Sequence, residues 1–279
     1  MSQGILIFAQ NNGSIDYNQL AVEAAKRAKR YLDKPVTIVT NDKKSLLELH
    51  PDSSTLFDKI IEGKDLTKQQ KRFYDGSIVY RSMSWKNQLR VRSFDISPYK
   101  ETLVIDADYL ICSDVLNGCW GSPDDFLIYK DSVDLAVWRK PSEFQVLSDK
   151  SIDFYWATVF YFRKTAATEI FFDYIKHIHE NWTYFKLLFE FESSLFRNDH
   201  AFSIAIHYMN GLTDGDFAKN LPGRMYYITD RDILWEIKND KMRFLVEKQE
   251  SLGCYTLIKT QGLDVHVMNK QSLIRMYNQ

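Results

Sequence analysis

Gly4-Ile5-Leu6-Ile7-Phe8-Ala9 is an apolar run without alternation, closed by Gln10-Asn11-Asn12-Gly13. A strand with one wet face alternates apolar and polar side chains, so a run that is apolar throughout reads as a strand covered on both faces and ended by a turn. Downstream, Leu20, Ala24, Ala28 and Tyr31 share one stripe of a helix over residues 17–32. Lys26, Arg27, Lys29 and Arg30 gather toward the end where helix carbonyls carry partial negative charge. Pro35-Val36-Thr37-Ile38-Val39-Thr40, closed by Asn41-Asp42, is the next β-branched strand. Strand, helix and strand at this spacing require a right-handed crossover and a parallel sheet.

Further out, Thr102-Leu103-Val104-Ile105-Asp106 is a third buried strand, with others expected at Leu135–Trp138 and Thr158–Phe162 and helices over Ala166–Glu180 and Asp199–Tyr208. Residues 43–80 are polar, with a short strand expected at Ile60-Ile61 and a short helix over Leu66–Phe73. A second helix is expected over Arg81–Phe94, placing Trp85, Leu89 and Arg92 on one face. No internal repeat or Gly/Ser/Pro-rich linker divides the chain, so one domain over residues 1–279 is expected.

Composition narrows the class. Hydrophobic residues at 45% of 279 exclude a disordered chain, and 36 Lys+Arg against 37 Asp+Glu exclude a binder that works through bulk positive charge. The balance is local, however: residues 64–92 hold eight basic side chains against Asp65 and Asp75. Cys112, Cys119 and Cys254 lack metal spacing, and no apolar run approaches the roughly 18 residues of a membrane span, so a soluble, cytoplasmic protein is expected.

The segment that carries chemistry is Asp106-Ala107-Asp108. Two carboxylates where a buried strand emerges at its carboxyl end lie where open α/β sheets bind ligands, and hard oxygen ligands of this kind suit Mg²⁺ or Mn²⁺. Asp214-Gly215-Asp216 and Asp230-Arg231-Asp232 share the spacing but follow no buried-strand pattern. Dinucleotide and P-loop glycine motifs are absent. His177 and His179, two apart on a helix, face different ways and do not make a metal pair.

With these residues the chain resembles GT-A type glycosyltransferases, in particular glycogenin-like and galactosyltransferase-like enzymes. The resemblance implies an α/β, Rossmann-like GT-A fold: a central, mainly parallel twisted sheet with helices on both faces. It also implies a nucleotide-diphosphate sugar donor, with UDP favoured. Ala9, Gln10, Asn11, Asn12 and Tyr17 would then lie beside the nucleoside, and Thr40-Asn41-Asp42 beside the base. Lys86 or Arg81 would reach the diphosphate or donor sugar, Lys86 with a catalytic share, and Asp106 and Asp108 would hold the metal around Ala107.

Two later segments extend the likeness. Asp264-Val265-His266-Val267-Met268-Asn269-Lys270 resembles the closing His-x-x-Gly-x-x-Lys element, implying His266 as third metal ligand and Lys270 on the diphosphate. Asn269 stands where a Gly is expected and the His-to-Lys spacing is shorter. Asn198-Asp199-His200 resembles an Asp-Gln or Asp-Glu element at the head of a helix beneath the sugar. Asp199 reads as that helix's N-cap, and the resemblance adds a catalytic role.

The aromatic tract from Trp182 to Phe191 reads as acceptor platform, core or subunit contact. The chain further resembles phage-encoded glycosyltransferases, some of which modify hydroxymethylated cytosines, so DNA is the implied acceptor, with a saccharide or protein as competitor. Two other readings stay open on the residues alone: a nucleotidyltransferase, which should carry a Gly-rich first loop, and a non-catalytic nucleic-acid or protein-binding module.

Overall fold

The computed structural model describes residues 2–63, 70–75, 80–86, 88–137, 139, 141–147, 152–191, 195–248 and 251–279. Its centre is a six-stranded sheet, numbered here in chain order: β1 (Gln3–Ala9), β2 (Val36–Thr40), β3 (Lys59–Glu62), β4 (Glu101–Asp106), β5 (Phe126–Tyr129) and β6 (Trp156–Arg163). The spatial order is β3-β2-β1-β4-β6-β5. β1 pairs in parallel with β2 and β4, and β2 with β3, while β6 runs antiparallel to both β4 and β5. The chain is therefore an α/β protein with a mainly parallel sheet.

The unalternating apolar runs have the consequence inferred for them. Ile5, Ile7, Leu103 and Ile105 enter one core, while Leu6 and Val104, one residue out of phase, enter a second. On the first face lies α1 (Tyr17–Leu32), capped by Asp16, whose side chain accepts from the Gln19 N–H. Ala21, Ala24, Ala25 and Ala28 are fully buried along it, so the small side chains bring helix and sheet close together. On the second face, α2 (Ala166–Glu180) and α3 (Asn198–Met209) contribute Phe171, Phe172 and Phe202 to an aromatic core closed by Phe126 and Phe160.

A smaller sheet joins Tyr109–Leu110, Val265–Val267, Met225–Ile228 and Ser132–Asp134. It pairs His266 with Tyr109, which brings the C-terminal segment onto the turn after β4. The helix α4 (Lys270–Tyr277) follows at once, capped by Asn269, whose side chain accepts from the Ser272 N–H. A three-stranded meander, Ile233–Lys238, Lys241–Lys248 and Ser251–Gln261, packs on α4. No described helix is long and apolar enough to cross a membrane.

Four expectations need correction. Within Leu66–Phe73 and Arg81–Phe94, residues 70–75 and 80–85 form an antiparallel hairpin, with 66–69 outside the described residues. Only a 3-10 turn at Gln88–Arg92 and a short helix at Ser93–Ile96 follow. The cross-strand partner decided against the helical spacing, since tertiary pairing overrides local propensity. The strand expected at Leu135–Trp138 is instead Ser132–Asp134. Asp134 ends it by accepting from the Ala136 and Arg139 N–H groups, a side-chain-capped turn, and Trp138 lies outside the described residues. Finally, Asp199 does not cap α3, whose N-cap is Arg197.

Candidate active site

A cleft of about 400 Å³ opens at the carboxyl ends of β1 and β4. Asp106, Ala107 and Asp108 line it, as do Gln10, Tyr17, Lys86, Asp199, His266 and Lys270. Ligand atoms of Asp106, Asp108 and His266 all lie within 4.8 Å of one another. Across an octahedron of 2.1 Å bonds, opposite ligands are about 4.2 Å apart, so a small contraction would close these three on one hard cation. His266 turns its Nε2 toward the carboxylates, 3.4 Å from Asp108 Oδ2, while its buried Nδ1 has no hydrogen-bond partner. Two carboxylates and an imidazole this close together could hold a divalent cation.

Both carboxylates are met by cations. Lys270 Nζ is 2.6 Å and His266 Nε2 3.4 Å from Asp108 Oδ2, and Arg90 pairs with Asp106 Oδ1. Burial alone would raise the Asp108 carboxyl, but the charges of Lys270 and His266 hold it well below the usual carboxylate range. Arg90 also donates to the Ala157 carbonyl at 2.6 Å. Burial brings its guanidinium down to about 10, with Asp108 and Asp199 opposing the fall, so it stays charged at neutral pH.

Asp199 reaches the cleft by a route its sequence position does not show. Its Oδ1 accepts from the Ala157 N–H at 2.9 Å, and its Oδ2 accepts from Arg197 at 2.9 Å. Ala157 therefore holds Asp199 through its N–H and Arg90 through its carbonyl, one peptide unit apart. His200, beside it, stacks on Phe191 with centroids 4.4 Å apart. Its Nδ1 is buried without a partner, and burial, with Arg197 nearby, pushes the ring down to about 4.

The first loop divides. Gln10 is buried, donates to the Gly63 carbonyl, and leaves its Oε1 without a partner at the cleft wall. Lys86 Nζ donates to the Asn11 carbonyl at 2.7 Å, and Tyr17 lines the cleft. Ala9, Asn11, Asn12, Thr40, Asn41 and Asp42 do not line it. Asn11 and Asn41 bond each other, Asn11 accepts from the Tyr17 N–H, and Asn12 accepts from Ser14 and Ile15. Thr40 donates to Asn18, and Asp42 caps the helix Lys43–Leu49. These side chains build the loop wall, and the Arg81 side chain lies outside the described residues.

Several cleft residues were not singled out from the sequence. Arg90 was counted only as part of the basic segment. Arg139, Phe144 and Trp156 converge through loops and the start of β6, and no short motif announces them, whereas Arg197 stands directly before Asn198-Asp199-His200.

No protein-family model and no curated protein matches the sequence. Among solved structures the chain is similar to LgtC, described as a galactosyltransferase and represented by an active-site mutant, at 12% identity and a TM-score of 0.46, covering 78% of this chain and 72% of that one. It is similar to the glycosyltransferase GlyE of Streptococcus pneumoniae TIGR4 at 11% identity and a TM-score of 0.44, covering 79% of this chain and 45% of that one. It is also similar to mouse xyloside xylosyltransferase 1 at 13% identity and a TM-score of 0.43, covering 76% and 83%. The chain is thus similar to solved glycosyltransferases.

Proposed function

We propose that the chain is a metal-dependent glycosyltransferase that moves a sugar from a nucleotide-diphosphate sugar, UDP-linked in the favoured case, to an acceptor hydroxyl. The observation that carries this reading is the Asp106–Asp108–His266 cluster at the carboxyl edge of the sheet, with Arg90 and Lys270 against its carboxylates. Breaking a glycosyl–phosphate bond builds negative charge on the departing diphosphate, so the main task is to hold that charge. Asp106, Asp108 and His266 would hold Mn²⁺ or Mg²⁺, which when bound supplies Lewis-acid stabilisation of the diphosphate oxygens.

The protein's own groups do the rest. Lys270, paired with Asp108, and Lys86, donating to the Asn11 carbonyl, both line the cleft, and their ammonium groups would serve the phosphate oxygens of the donor. The unpartnered Gln10 Oε1 offers a nucleoside base a hydrogen-bond acceptor at the end of β1. Asp199 is fixed in place by the Ala157 N–H and Arg197. It suits a catalytic group that stabilises positive charge on the sugar or takes the acceptor's proton.

For the acceptor, the favoured reading is a 5-hydroxymethylated pyrimidine in DNA, or a sugar already on it. It is supported by the basic stretch over residues 64–92, from which Lys86 and Arg90 reach the cleft. A base in a duplex would have to be flipped out to present its hydroxyl. A saccharide or protein hydroxyl is the alternative. Incubation with a panel of nucleotide sugars in Mn²⁺, followed by nucleoside mass spectrometry of DNA exposed to the donor that is hydrolysed, tests both parts. No hydrolysis of any donor refutes the transferase, and hydrolysis with unmodified DNA refutes the DNA acceptor.

A further inference from the structure

Charge within the cleft is not balanced by the donor. Lys86, Arg90, Arg139, Arg197 and Lys270 line it against Asp106, Asp108 and Asp199, an excess of two positive charges. A divalent ion adds two more, and a nucleoside-diphosphate sugar brings two negative charges, so a surplus of two positive charges remains with metal and donor in place. Arg90, Arg197 and Lys270 are each paired with a carboxylate, whereas no ion pair joins Arg139 to a carboxylate among the described residues. Its guanidinium lies 5.1 Å from the Phe144 ring centroid and 6.0 Å from that of Tyr227.

The surroundings of Arg139 form an aromatic wall. Phe144 packs on Trp156 at 4.9 Å, and Trp156 on Tyr227 at 5.4 Å. Trp156 is 2% exposed, lines the cleft, and buries its Nε1 with no hydrogen-bond partner. A buried indole N–H without an acceptor is costly unless a ligand oxygen supplies one. A guanidinium backed by aromatic faces, in a wall that also holds an N–H donor without an acceptor, is a recognition set for an oxyanion carried next to a ring.

We propose that this wall is the acceptor subsite and that the acceptor carries an anionic oxygen group, phosphate or carboxylate, close to the hydroxyl that receives the sugar, with Arg139 as its anchor. The inference rests on the glycosyltransferase reading and narrows it: a neutral acceptor leaves the surplus charge unmet. A phosphodiester beside a pyrimidine and a uronic acid within a saccharide both meet the requirement.

The test uses the full chain loaded with Mn²⁺ and UDP, probed by calorimetry with two matched pairs: 5-hydroxymethyl-deoxycytidine monophosphate against its nucleoside, and methyl glucuronide against methyl glucoside. In at least one pair the charged member is expected to bind about tenfold tighter or more, a preference that shrinks with salt. Arg139→Gln should abolish the preference, and Arg139→Lys, which keeps the charge, should restore part of it; melting curves verify that both variants fold. Preference in the nucleotide pair assigns a polynucleotide source, and preference in the sugar pair an acidic saccharide. Equal affinities, no binding of either charged probe, or a preference that survives Arg139→Gln overturns the inference while leaving the transferase reading standing. Failure of Mn²⁺ and UDP to bind wild type overturns both.

Discussion

Replacing Arg90 by Met should separate the fold's need for this guanidinium from the metal's. The side chain is 7% exposed, donates to the Ala157 carbonyl at 2.6 Å and pairs with Asp106. Methionine keeps much of the apolar stem and removes both bonds. Hydrogen bonds to charged groups contribute about 1.5–3 kcal/mol each, and breaking a dry ion pair from one side costs about 3–5 kcal/mol. The Asp106 side chain keeps 27% of its exposure, so water can resolvate it, and the loss falls near the lower bound, about 3 kcal/mol. At roughly 2–4 °C per kcal/mol for a chain of this size, melting should drop by about 6–12 °C. A second effect has the opposite sign: Asp106, freed of its partner, becomes a better ligand, so Mn²⁺ should stabilise the variant more than wild type. Urea unfolding and calorimetric melting, each in chelator and in Mn²⁺, measure both. A loss under about 1 kcal/mol, or equal stabilisation of the two proteins by Mn²⁺, would refute the assignment of Arg90 as the cation that neutralises Asp106.

Three other outcomes are expected. His200 is held near 4 against an ordinary 6.5, so the unfolded chain takes up a proton first on acidification. Its contribution is therefore level above pH 6.5 and falls toward pH 4, by about 2 kcal/mol at pH 5; His200→Gln should flatten that slope in urea titrations across pH, and an unchanged slope would contradict it. A Cβ at Gly4 would lie 2.4 Å from Tyr99 Cζ, whose hydroxyl bonds Thr37 at 2.7 Å. Gly4→Ala should therefore cost about 2–3 kcal/mol by overpacking, and a urea midpoint equal to wild type would show that the ring yields freely. Asp199→Asn keeps an acceptor for the Ala157 N–H but loses the charge facing Arg197. Sugar transfer should fall about a hundredfold or more with little change in melting, and near-normal turnover would remove Asp199 from the chemistry.

Much of the frame was readable from local pattern because burial on both faces writes itself into unbroken apolar runs. Gly4–Ala9, Val36–Thr40 and Leu103–Ile105 could hardly be anything else, and the carboxylates after the last run inherit their place from it. Arg81–Phe94 misled because Trp85, Leu89 and Arg92 satisfy a helical stripe, while the hairpin partner that overrules it is the upstream strand Gln70–Asp75. Asp199 looked like a cap because its acceptor role is real; the donor is Ala157 on β6, a contact that no local window contains. His266 and Lys270 were legible as a short C-terminal element, and the pairing of Val265–Val267 with Tyr109–Leu110 carries them to Asp108. Asn11, Asn41 and Asp42 have the polar composition of a ligand loop but are engaged in closing it. Arg139 and Trp156 were invisible for the opposite reason: each is unremarkable in sequence and gains meaning only from the neighbours that folding supplies.

The claim that a nucleotide and a divalent ion meet on Asp106, Asp108 and His266 is tested most directly by calorimetric titration of UDP in Mn²⁺ and in chelator, for wild type and Asp108→Ala. UDP should bind wild type at least about tenfold more tightly with Mn²⁺ present, and the metal's advantage should vanish in the variant. Equal UDP affinity with and without Mn²⁺ in wild type, or an advantage that persists without the Asp108 carboxylate, would contradict it.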